Sequence, residues 1–392
     1  MESPQSPGAS PRTLIARAQR IAVEVAGPAA DSVDREARFP AESIEALRKE
    51  KLLSALVPVE LGGEEASVAE ISGICLALGQ RCASAGMVYA MHTIQVACIV
   101  RHGSAAPFFR RYMSEALVEK QELLASATTE LGVGGDVRTS ICAVQVEGDH
   151  FRLEKNAPVI SYGQNADAIL VTSRRAPDAV SSDQVISLVR KPECTLEPTS
   201  GWDTLGFRGT CSLGFKLSAR AHKDQILPQP YADISQQTML PVSHIVWSSL
   251  WLGIATDAVN RARAFVRQEA RKKPGFIPPN SLRLAEVVSV LQGFRANVQD
   301  SVEDYQRRLA DPESLGSIGF ALRMNNLKIA ASQLVVQIVS AAMQIVGITG
   351  YRLDSKYTLG RHLRDAYGAA LMVNNDRILG ANASMLLVLK DD

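Results

Sequence analysis

A glycine-punctuated segment near the carboxyl end carries the spacing that best suits ligand binding. Residues 343–365 read MQIVGITGYRLDSKYTLGRHLRD, in which an apolar helical pattern reaches Gln344 and two glycines follow, Gly347 and Gly350. Glycine leaves the backbone free of side-chain bulk, so a large ligand such as a cofactor pyrophosphate can approach closely. A glycine cap that ends the helix, with Tyr351 packed over it, is the alternative interpretation of the same residues.

Length and composition limit the classes of protein and partner. A chain of 392 residues is too long for one small core, so we expect two or three domains. Its 42 basic and 41 acidic residues balance, which argues against nucleic acid or an anionic membrane surface as partner. The most apolar helical pattern still carries Gln333, Gln337 and Gln344. We therefore predict no membrane span, a cytoplasmic location and a disordered tail over residues 1–11.

The cysteines and histidines show no metal-binding spacing. The six cysteines include no C-x-x-C pair and have no paired histidines nearby. Structural zinc sites need such clusters, so we predict no metal site. The cysteines are interpreted as reduced packing residues.

The first part of the chain, residues 12–120, is predicted to be a helical domain. Apolar residues recur there at spacings of three and four, and the breaker cluster PVELGG at residues 58–63 separates two helical stretches. The helix predicted over residues 83–100 is apolar on nearly every face and carries His92. His92 is a candidate pocket residue, with a hydrogen-bonded core histidine as the simpler interpretation.

Residues 121–230 are predicted to form an antiparallel β-domain. Short runs rich in β-branched residues replace the helical pattern, and the Glu147–His150 segment between two of them is a hairpin signal. No run is followed by a long amphipathic helix, so a dinucleotide-binding βαβ unit is not expected. The predicted strands cover residues 123–129, 143–146, 151–153, 168–173, 185–189 and 215–217.

Residues 231–392 return to a helical pattern and are predicted to form a four-helix bundle. The predicted helices cover residues 241–254, 257–271, 282–309 and 319–344, with a proline-rich pause at 274–279. Short breaks between long helices favour antiparallel neighbours. The predicted fold class is therefore α+β, with helical domains on either side of a β-domain.

Three motifs, taken together, resemble the acyl-CoA dehydrogenase family of flavoproteins. The glycine segment is followed by Leu363-Arg364-Asp365, as in the family's C-terminal signature. TELGVGGD, residues 129–136, resembles the family's T-E-P-G-A-G-S-D loop, and VISYG, residues 159–163, resembles its W-I-T/S-N-G loop. The resemblance implies bound FAD and a helical, β and four-helix-bundle order of domains. It also implies a homodimer or homotetramer, because in the family the glycine turn lies on the FAD of a neighbouring subunit.

The resemblance also assigns cofactor-binding residues. Hydroxyl and backbone donors around a flavin ring tune its potential as it accepts hydride. Three positions depart from the pattern: Leu131 replaces proline, Val159 replaces tryptophan, and Gly135 replaces the serine that helps to hold the pantetheine arm. The implied cofactor-binding set is Thr129, Gly134, Ile160, Ser161, Gln344, Gly347, Gly350 and, on the FAD pyrophosphate, Arg271.

The motifs do not assign a residue as the catalytic base. Dehydrogenation of an acyl thioester needs a carboxylate that removes the α-proton while the β-hydrogen leaves as hydride. The family's glutamate falls at or near residues 373–376, VNND, and an alternative family location falls near Ser243-His244; neither holds a glutamate. Asp376 and His244 are the candidate catalytic residues. Asn374 and Asn375 cannot abstract a proton, although an amide binds carbonyls.

Three functional hypotheses follow. The leading one is FAD-dependent α,β-dehydrogenation of an acyl thioester, bound to CoA or to an acyl carrier protein, with an electron-transfer flavoprotein or oxygen as acceptor. The second is a flavin-dependent monooxygenase of the same fold, favoured by the missing glutamate, by Val159 and by His92. The third is a family member that keeps the fold as a non-catalytic scaffold.

Overall fold

The computed structural model describes residues 13–134, 136–272, 275 and 277–389. The predicted tail at 1–11, Gly135, and residues 274 and 276 of the predicted pause at 274–279 lie outside the described residues. Six helices come before the first strand, and a π-helical stretch, Ala22–Ala26, joins the first two. The six helices are α1 (Leu14–Ile21), α2 (Gly27–Arg35), α3 (Ala41–Lys49), α4 (Val68–Gly79), α5 (Ala83–Gly103) and α6 (Pro107–Tyr112).

His92 on α5 is a core residue of this helical part. Its ring is buried, with Nε2 2.8 Å from the Leu53 carbonyl oxygen, and Nδ1 accepts a 2.9 Å hydrogen bond from the Leu124 amide. Since Nδ1 accepts, Nε2 carries the proton and donates to Leu53. Burial lowers the pKa of His92 to about 4, so the ring is neutral at pH 7. The structure therefore supports the core interpretation of this histidine.

The β-domain consists of two sheets. One has the order β1-β4-β5 and the other, fully antiparallel, has the order β2-β3-β7-β6. The hairpin prediction is confirmed, because Glu147 pairs with His150 across a two-residue turn. The strands are β1 (Leu124–Ala127), β2 (Gln145–Glu147), β3 (His150–Ala157), β4 (Ala168–Arg174), β5 (Gln184–Arg190), β6 (Cys194–Ser200) and β7 (Gly214–His222).

Two features of these sheets differ from the prediction. β1 pairs with β4 in parallel, so the β-domain is not purely antiparallel. Strand pairing of this kind joins segments about forty residues apart and leaves no local sequence signal. β6 was not predicted, because its side chains are half-buried or exposed and it contains Pro198.

A buried ion pair ties the TELGVGGD loop to the β-domain. Glu130 accepts hydrogen bonds from the Ser140 hydroxyl and from the amides of Ile141 and Cys142, and Lys155 Nζ lies 3.4 Å from its Oε2. Lys155 also donates to the carbonyl oxygen of Thr172 on β4. Both charged side chains are at least 95% buried, so each depends on the other for charge compensation.

The C-terminal part is a helical bundle, as predicted, but its helices are divided differently. The segments predicted as 241–254 and 257–271 form one helix, α8. This helix packs against α9 and α11, and α13 lies against α11 and α8 as a shorter fourth member. The helices of this part are α7 (Tyr231–Ile234), α8 (Leu240–Lys272), α9 (Asn280–Arg308), α10 (Pro312–Leu315), α11 (Ile318–Val346), α12 (Ile348–Tyr351), α13 (Gly360–Leu371) and α14 (Asn375–Leu386).

The predicted break near residue 256 is absent because its polar side chains have partners. The Thr256 hydroxyl donates to the Leu252 carbonyl oxygen, and Asp257 accepts from Arg261 and pairs with His362 of α13. A polar pair inside a helical pattern thus marks a contact between helices here, not a boundary.

Three helical segments of the described residues are long and apolar enough to cross a membrane, judged by length and composition alone. They are Ala83–Gly103, Tyr231–Lys272 and Ile318–Val346. In the first two, 83% and 94% of the most apolar window is buried inside the protein, whereas in the third only 50% is buried. The glutamines of α11 do not lower its mean hydropathy below that of a helix able to cross a membrane.

Replacing Lys155 with methionine tests the buried ion pair. The Glu130 carboxylate would lose its cation while remaining buried, so we expect Lys155→Met to lower the free energy of unfolding by about 3 kcal/mol. Urea unfolding followed by circular dichroism measures this loss. Glu147→Gln, which breaks the exposed pair with Arg152, is the matched control and should cost no more than about 1 kcal/mol. Equal losses in the two variants would contradict the assignment.

Candidate functional site

Two loops of the β-domain meet at the predicted site. The Thr129 hydroxyl donates to the Val159 carbonyl oxygen at 3.1 Å, which joins the TELGVGGD and VISYG loops. The amides of Ile160 and Tyr162 both donate to the 210–213 segment, at 2.8 Å, and both side chains are buried. The second loop is therefore fixed from one side, with Ile160 as its anchor.

Ser161 presents the free polar groups of this edge. The amides on either side of it donate to the 210–213 segment, whereas the Ser161 amide finds no acceptor among the described residues. Its Oγ accepts a 2.9 Å hydrogen bond from Ser212, which leaves its own proton free to donate. The Ser161 amide and hydroxyl are two adjacent donors, and the Thr129 hydroxyl oxygen is an acceptor. This set suits the edge of a heteroaromatic ring on which acceptors and N–H groups alternate.

Gly134 lies on an open stretch of the first loop. Its φ is +59°, and nothing lies within 4 Å of the position that a Cβ would take. Its carbonyl oxygen accepts from Arg377 at the start of α14. The loop therefore reaches across to the C-terminal helices.

The Arg364-Asp365 pair joins the three parts of the chain. Arg364 makes two hydrogen bonds to the carboxylate of Asp34 on α2 and donates to the Leu205 carbonyl oxygen. Asp365 accepts a 2.7 Å hydrogen bond from the Phe207 amide. The segment of residues 206–212 thus packs against α13, and a Cβ on Gly206 would lie 2.2 Å from the Arg364 carbonyl oxygen. This family signature holds the domains together.

The glycine turn lies elsewhere in the chain. Gly347, with φ +67°, ends α11, and Gly350 packs on Val346, but the Gln344 side chain is exposed. Among the described residues no hydrogen bond or ion pair joins this turn to the loops of Thr129 and Ser161. Within one chain, the structure joins Thr129 to the loop of Ile160 and Ser161, and it makes no such connection for Gly134, Gln344, Gly347, Gly350 or Arg271.

Arg271 lies in the last turn of α8 and is exposed. Residues 273, 274 and 276, which follow it, lie outside the described residues. Its predicted grip on a pyrophosphate stays a prediction.

His244 is a buried residue of α8 with one open nitrogen. Its Nδ1 lies 3.0 Å from the Met324 carbonyl oxygen and must donate, since a carbonyl only accepts. Nε2 has no partner among the described residues, and it is not among their fully enclosed polar atoms. Burial lowers the pKa of His244 to about 3, so its ring is neutral and its open nitrogen is a weak base.

Asp376 begins α14 and is exposed. Its amide donates to the Asn374 side chain, which caps the helix at 2.9 Å. Just before this cap, Val373 has φ +45°, a left-handed conformation that is costly for a β-branched residue. Val373 falls where the family's glutamate is expected, at or near residues 373–376.

One residue of this region was missed in the sequence. Lys328 of α11 is fully buried, and its Nζ lies 2.7 Å from both the Val373 carbonyl oxygen and Asn375 Oδ1. A lysine within an otherwise apolar helical repeat was the available signal. It gave no indication of what the ammonium contacts.

Comparison with known proteins identifies two segments of the chain that match one family. Residues 10–107 match the description "Acyl-CoA dehydrogenase, N-terminal domain", and residues 234–372 match "Acyl-CoA dehydrogenase, C-terminal domain". The chain belongs to the acyl-CoA dehydrogenase family. It is an acyl-CoA dehydrogenase-like flavin oxidoreductase, and the predicted α+β fold is confirmed.

Relatives of this acyl-CoA dehydrogenase family member span nearly its whole length. Cyclohex-1-ene-1-carbonyl-CoA dehydrogenase of Geobacter metallireducens is 23% identical and aligns over 88% of this chain and 89% of its own. FMN-bound TdsC from Paenibacillus sp. A11-2 has a TM-score of 0.83 at 20% identity, over 95% and 97% of the two chains. Butyryl-CoA dehydrogenase from Megasphaera elsdenii has a TM-score of 0.78 at 18% identity, over 95% and 97%.

The buried carboxyl of Asp365 makes stability depend on pH. Burial raises its pKa from the ordinary value of 3.8 to about 6, so the folded state holds the proton more tightly than the unfolded chain does. The stability that this residue contributes is therefore present below about pH 4 and is lost as pH rises through about 6. Asp365→Asn keeps an acceptor for the Phe207 amide but does not titrate.

We expect wild type to lose up to about 3 kcal/mol relative to Asp365→Asn between pH 4 and pH 7. Urea unfolding of both proteins at pH 4, 5, 6 and 7 measures the difference, and titrations common to the two proteins cancel. Parallel pH profiles would contradict the raised pKa.

Proposed function

We propose that this enzyme uses FAD to dehydrogenate an acyl thioester at the α,β position, with the acyl group carried by CoA or by an acyl carrier protein. The observation that supports this most is the meeting of two flavin-type loops, joined by the Thr129 hydrogen bond to Val159, in a chain of this family. The Geobacter relative, named as a dehydrogenase of a cyclic acyl-CoA, supports the substrate class. When bound, the flavin accepts hydride from the substrate.

Each β-domain residue has a distinct part in holding the ring. Ser161 donates to ring acceptors through its amide and its hydroxyl, and Thr129 accepts from a ring N–H. Ile160 fixes the loop from below, and the open backbone around Gly134 lets the ring or its side chain approach without a steric conflict. These donors are fixed before the ligand arrives, so binding costs little reorganisation.

A second copy of the chain completes the site. The glycine turn exposes Ile348, Tyr351 and Leu353, each by more than 70%, and exposed apolar side chains of this density mark a surface that is covered in the assembly. We assign Gln344, Gly347 and Gly350 of a second copy to the flavin, with Arg271 on its pyrophosphate. The enzyme is then a homodimer or homotetramer.

Two groups remain candidates for the α-proton. His244 offers a neutral imidazole with an open Nε2, and Asp376 offers an exposed carboxylate beside the turn of Val373. The burial that keeps His244 neutral also weakens it as a base, whereas Asp376 is bound by no cation among the described residues. Single-turnover flavin reduction in His244→Gln and Asp376→Asn separates the two roles.

The missing carboxylate supports a second candidate function, monooxygenation. Val373 cannot remove a proton, and TdsC, which has the same fold, is described as a dibenzothiophene monooxygenase. Monooxygenation would use the reaction of a reduced flavin with oxygen, and it would need no residue that abstracts an α-proton. We propose a cytoplasmic location in either case, with an electron-transfer flavoprotein or oxygen as the acceptor.

Anaerobic mixing with acyl thioesters separates the two functions. The dehydrogenase proposal expects at least one of a panel of acyl-CoA or acyl-carrier-protein substrates to bleach the oxidised flavin, with the α,β-unsaturated product formed in equal amount. Ser161→Ala removes the hydroxyl donor and keeps the backbone amide, so it should weaken flavin binding by about fivefold, since a neutral hydrogen bond is worth about 1 kcal/mol. Thioesters that leave the flavin oxidised, together with ¹⁸O incorporation from labelled oxygen by reduced enzyme, would overturn dehydrogenation in favour of oxygenation.

If two copies of the chain share one flavin site, a variant that blocks assembly should also lose flavin binding. Tyr351→Asp places a charge on the exposed glycine-turn surface, so we expect a monomer that retains less than about a tenth of the flavin at micromolar concentration. Size-exclusion light scattering with flavin absorbance measures both properties. Val180→Asp, at a 69% exposed apolar residue of the β-domain, is the control and should change neither. An active, flavin-loaded wild-type monomer would contradict the shared site.

A further inference from the structure

Lys328 is a buried cation without an acidic partner. Its side chain is fully buried on α11, and no carboxylate of the described residues lies within 4.0 Å of its Nζ. Its neighbours are the Val373 carbonyl oxygen and Asn375 Oδ1, both at 2.7 Å, and the ring of Trp251, 6.0 Å from Nζ. Burial lowers the pKa of Lys328 to about 8. An ammonium group is costly to bury, so a residue kept here has a specific task.

That task concerns the turn between α13 and α14. Val373 adopts φ +45°, which a β-branched side chain takes only when its surroundings hold it there. Four hydrogen bonds tie the turn to α11: two from Lys328, one from the Ser332 hydroxyl to Asn375 Oδ1 at 3.4 Å, and one from Asn375 Nδ2 to Ser332 Oγ at 3.0 Å. One of them ends on the carbonyl oxygen of the strained residue. Without Lys328 the turn would relax toward an ordinary conformation.

The anchored turn leaves specific groups for a ligand. Both polar atoms of the Asn375 amide are used in holding the turn, and Asn374 uses its Oδ1 to cap α14. The Asn374 amino group makes no hydrogen bond among the described residues and is exposed, so it is the turn's free side-chain donor. An N–H donor at this place suits a thioester carbonyl oxygen, on which negative charge develops as the α-proton leaves.

We propose that Lys328 is a positioning residue for the reaction: it holds the Val373–Asn375 turn in its strained conformation over the substrate and sets the direction of the Asn374 amide. This proposal rests on the proposed function for its catalytic half, whereas the anchoring half concerns the folded protein alone. The nearby titratable group on the facing helix is His244, whose pKa the Lys328 charge lowers further. Lys328 itself need not touch the substrate.

Hydrogen exchange tests the anchoring half. In Lys328→Met we expect the amides of residues 372–376 to exchange about tenfold faster or more, because the turn opens more often once its hydrogen bonds from Lys328 are lost. Lys328→Arg, which keeps the charge and the donors, should restore at least part of the protection. Lys223→Met, at an exposed lysine of the β-domain, is the matched control and should leave this segment unchanged. Unchanged exchange in Lys328→Met would overturn the proposal.

Flavin reduction by saturating substrate tests the catalytic half. We expect Lys328→Met to slow single-turnover reduction by about tenfold or more while flavin content and substrate affinity change by less than about threefold. Arginine at 328 should recover part of the rate. Faster exchange at 372–376 with an unchanged reduction rate would overturn the catalytic role.

A third variant covers the case in which Lys328→Met does not fold. Asn375→Ala removes three of the four hydrogen bonds to α11 from a half-buried position of the turn, so we expect faster exchange at 372–376 and slower reduction here as well. If none of the acyl thioesters reduces the flavin of the wild-type enzyme, the proposed function fails. The exchange measurement then still decides whether Lys328 anchors the turn.

Discussion

The close packing of α8 between α4 and α11 is the constraint on which the rest of the structure depends. Every residue of α8 from Pro241 to Val259 is buried. Two glycines permit the contact with α4: a Cβ on Gly79 would lie 2.4 Å from the Leu250 carbonyl oxygen, and one on Gly253 would lie 2.4 Å from that of Leu76. Such backbone-to-backbone contact fixes the depth and rotation of α8.

The position of α8 then determines what its other face meets. His244 reaches the backbone of α11 at Met324, and Trp251 lies beside Lys328. Lys328 in turn reaches the turn between α13 and α14, while Asp257 near the middle of α8 binds His362 of α13. The residues of the proposed substrate side are therefore placed by helix packing, whereas Thr129 and Ser161 of the proposed flavin side are placed by loops of the β-domain. Arg364 and Asp365 fix the position of the C-terminal helices relative to the β-domain.

The sequence carries more local information about the proposed flavin side than about the proposed substrate side, for a physical reason. The groups around Thr129 and Ser161 belong to short contiguous loops, so a local motif contains most of the information. The substrate side is assembled from α8, α11 and the 373–375 turn, which are far apart in the chain. Neither the strained φ of Val373 nor the contacts of Lys328 can be inferred from neighbours in sequence, because both depend on tertiary packing.

The same distinction explains the differences in the fold. Helix α8 was divided in the prediction because Thr256 and Asp257 are polar, but these residues are buried with partners on α8 itself and on α13. The parallel pairing of β1 with β4 and the exposed strand β6 also depend on distant partners. Local periodicity was sufficient where a segment's own amphipathic pattern decides its structure, as in α9 and in the β2-β3 hairpin.

A crystal structure of the flavin-loaded protein tests the central claim most directly. The account predicts a ring edge within about 3 Å of the Ser161 amide and hydroxyl and beside Thr129, with Gln344 of a second copy on the same flavin. It also predicts the Val373–Asn375 turn on the substrate side of that ring. A flavin bound away from Thr129 and Ser161, or a complete site within one chain that leaves Gln344 in solvent, would contradict it.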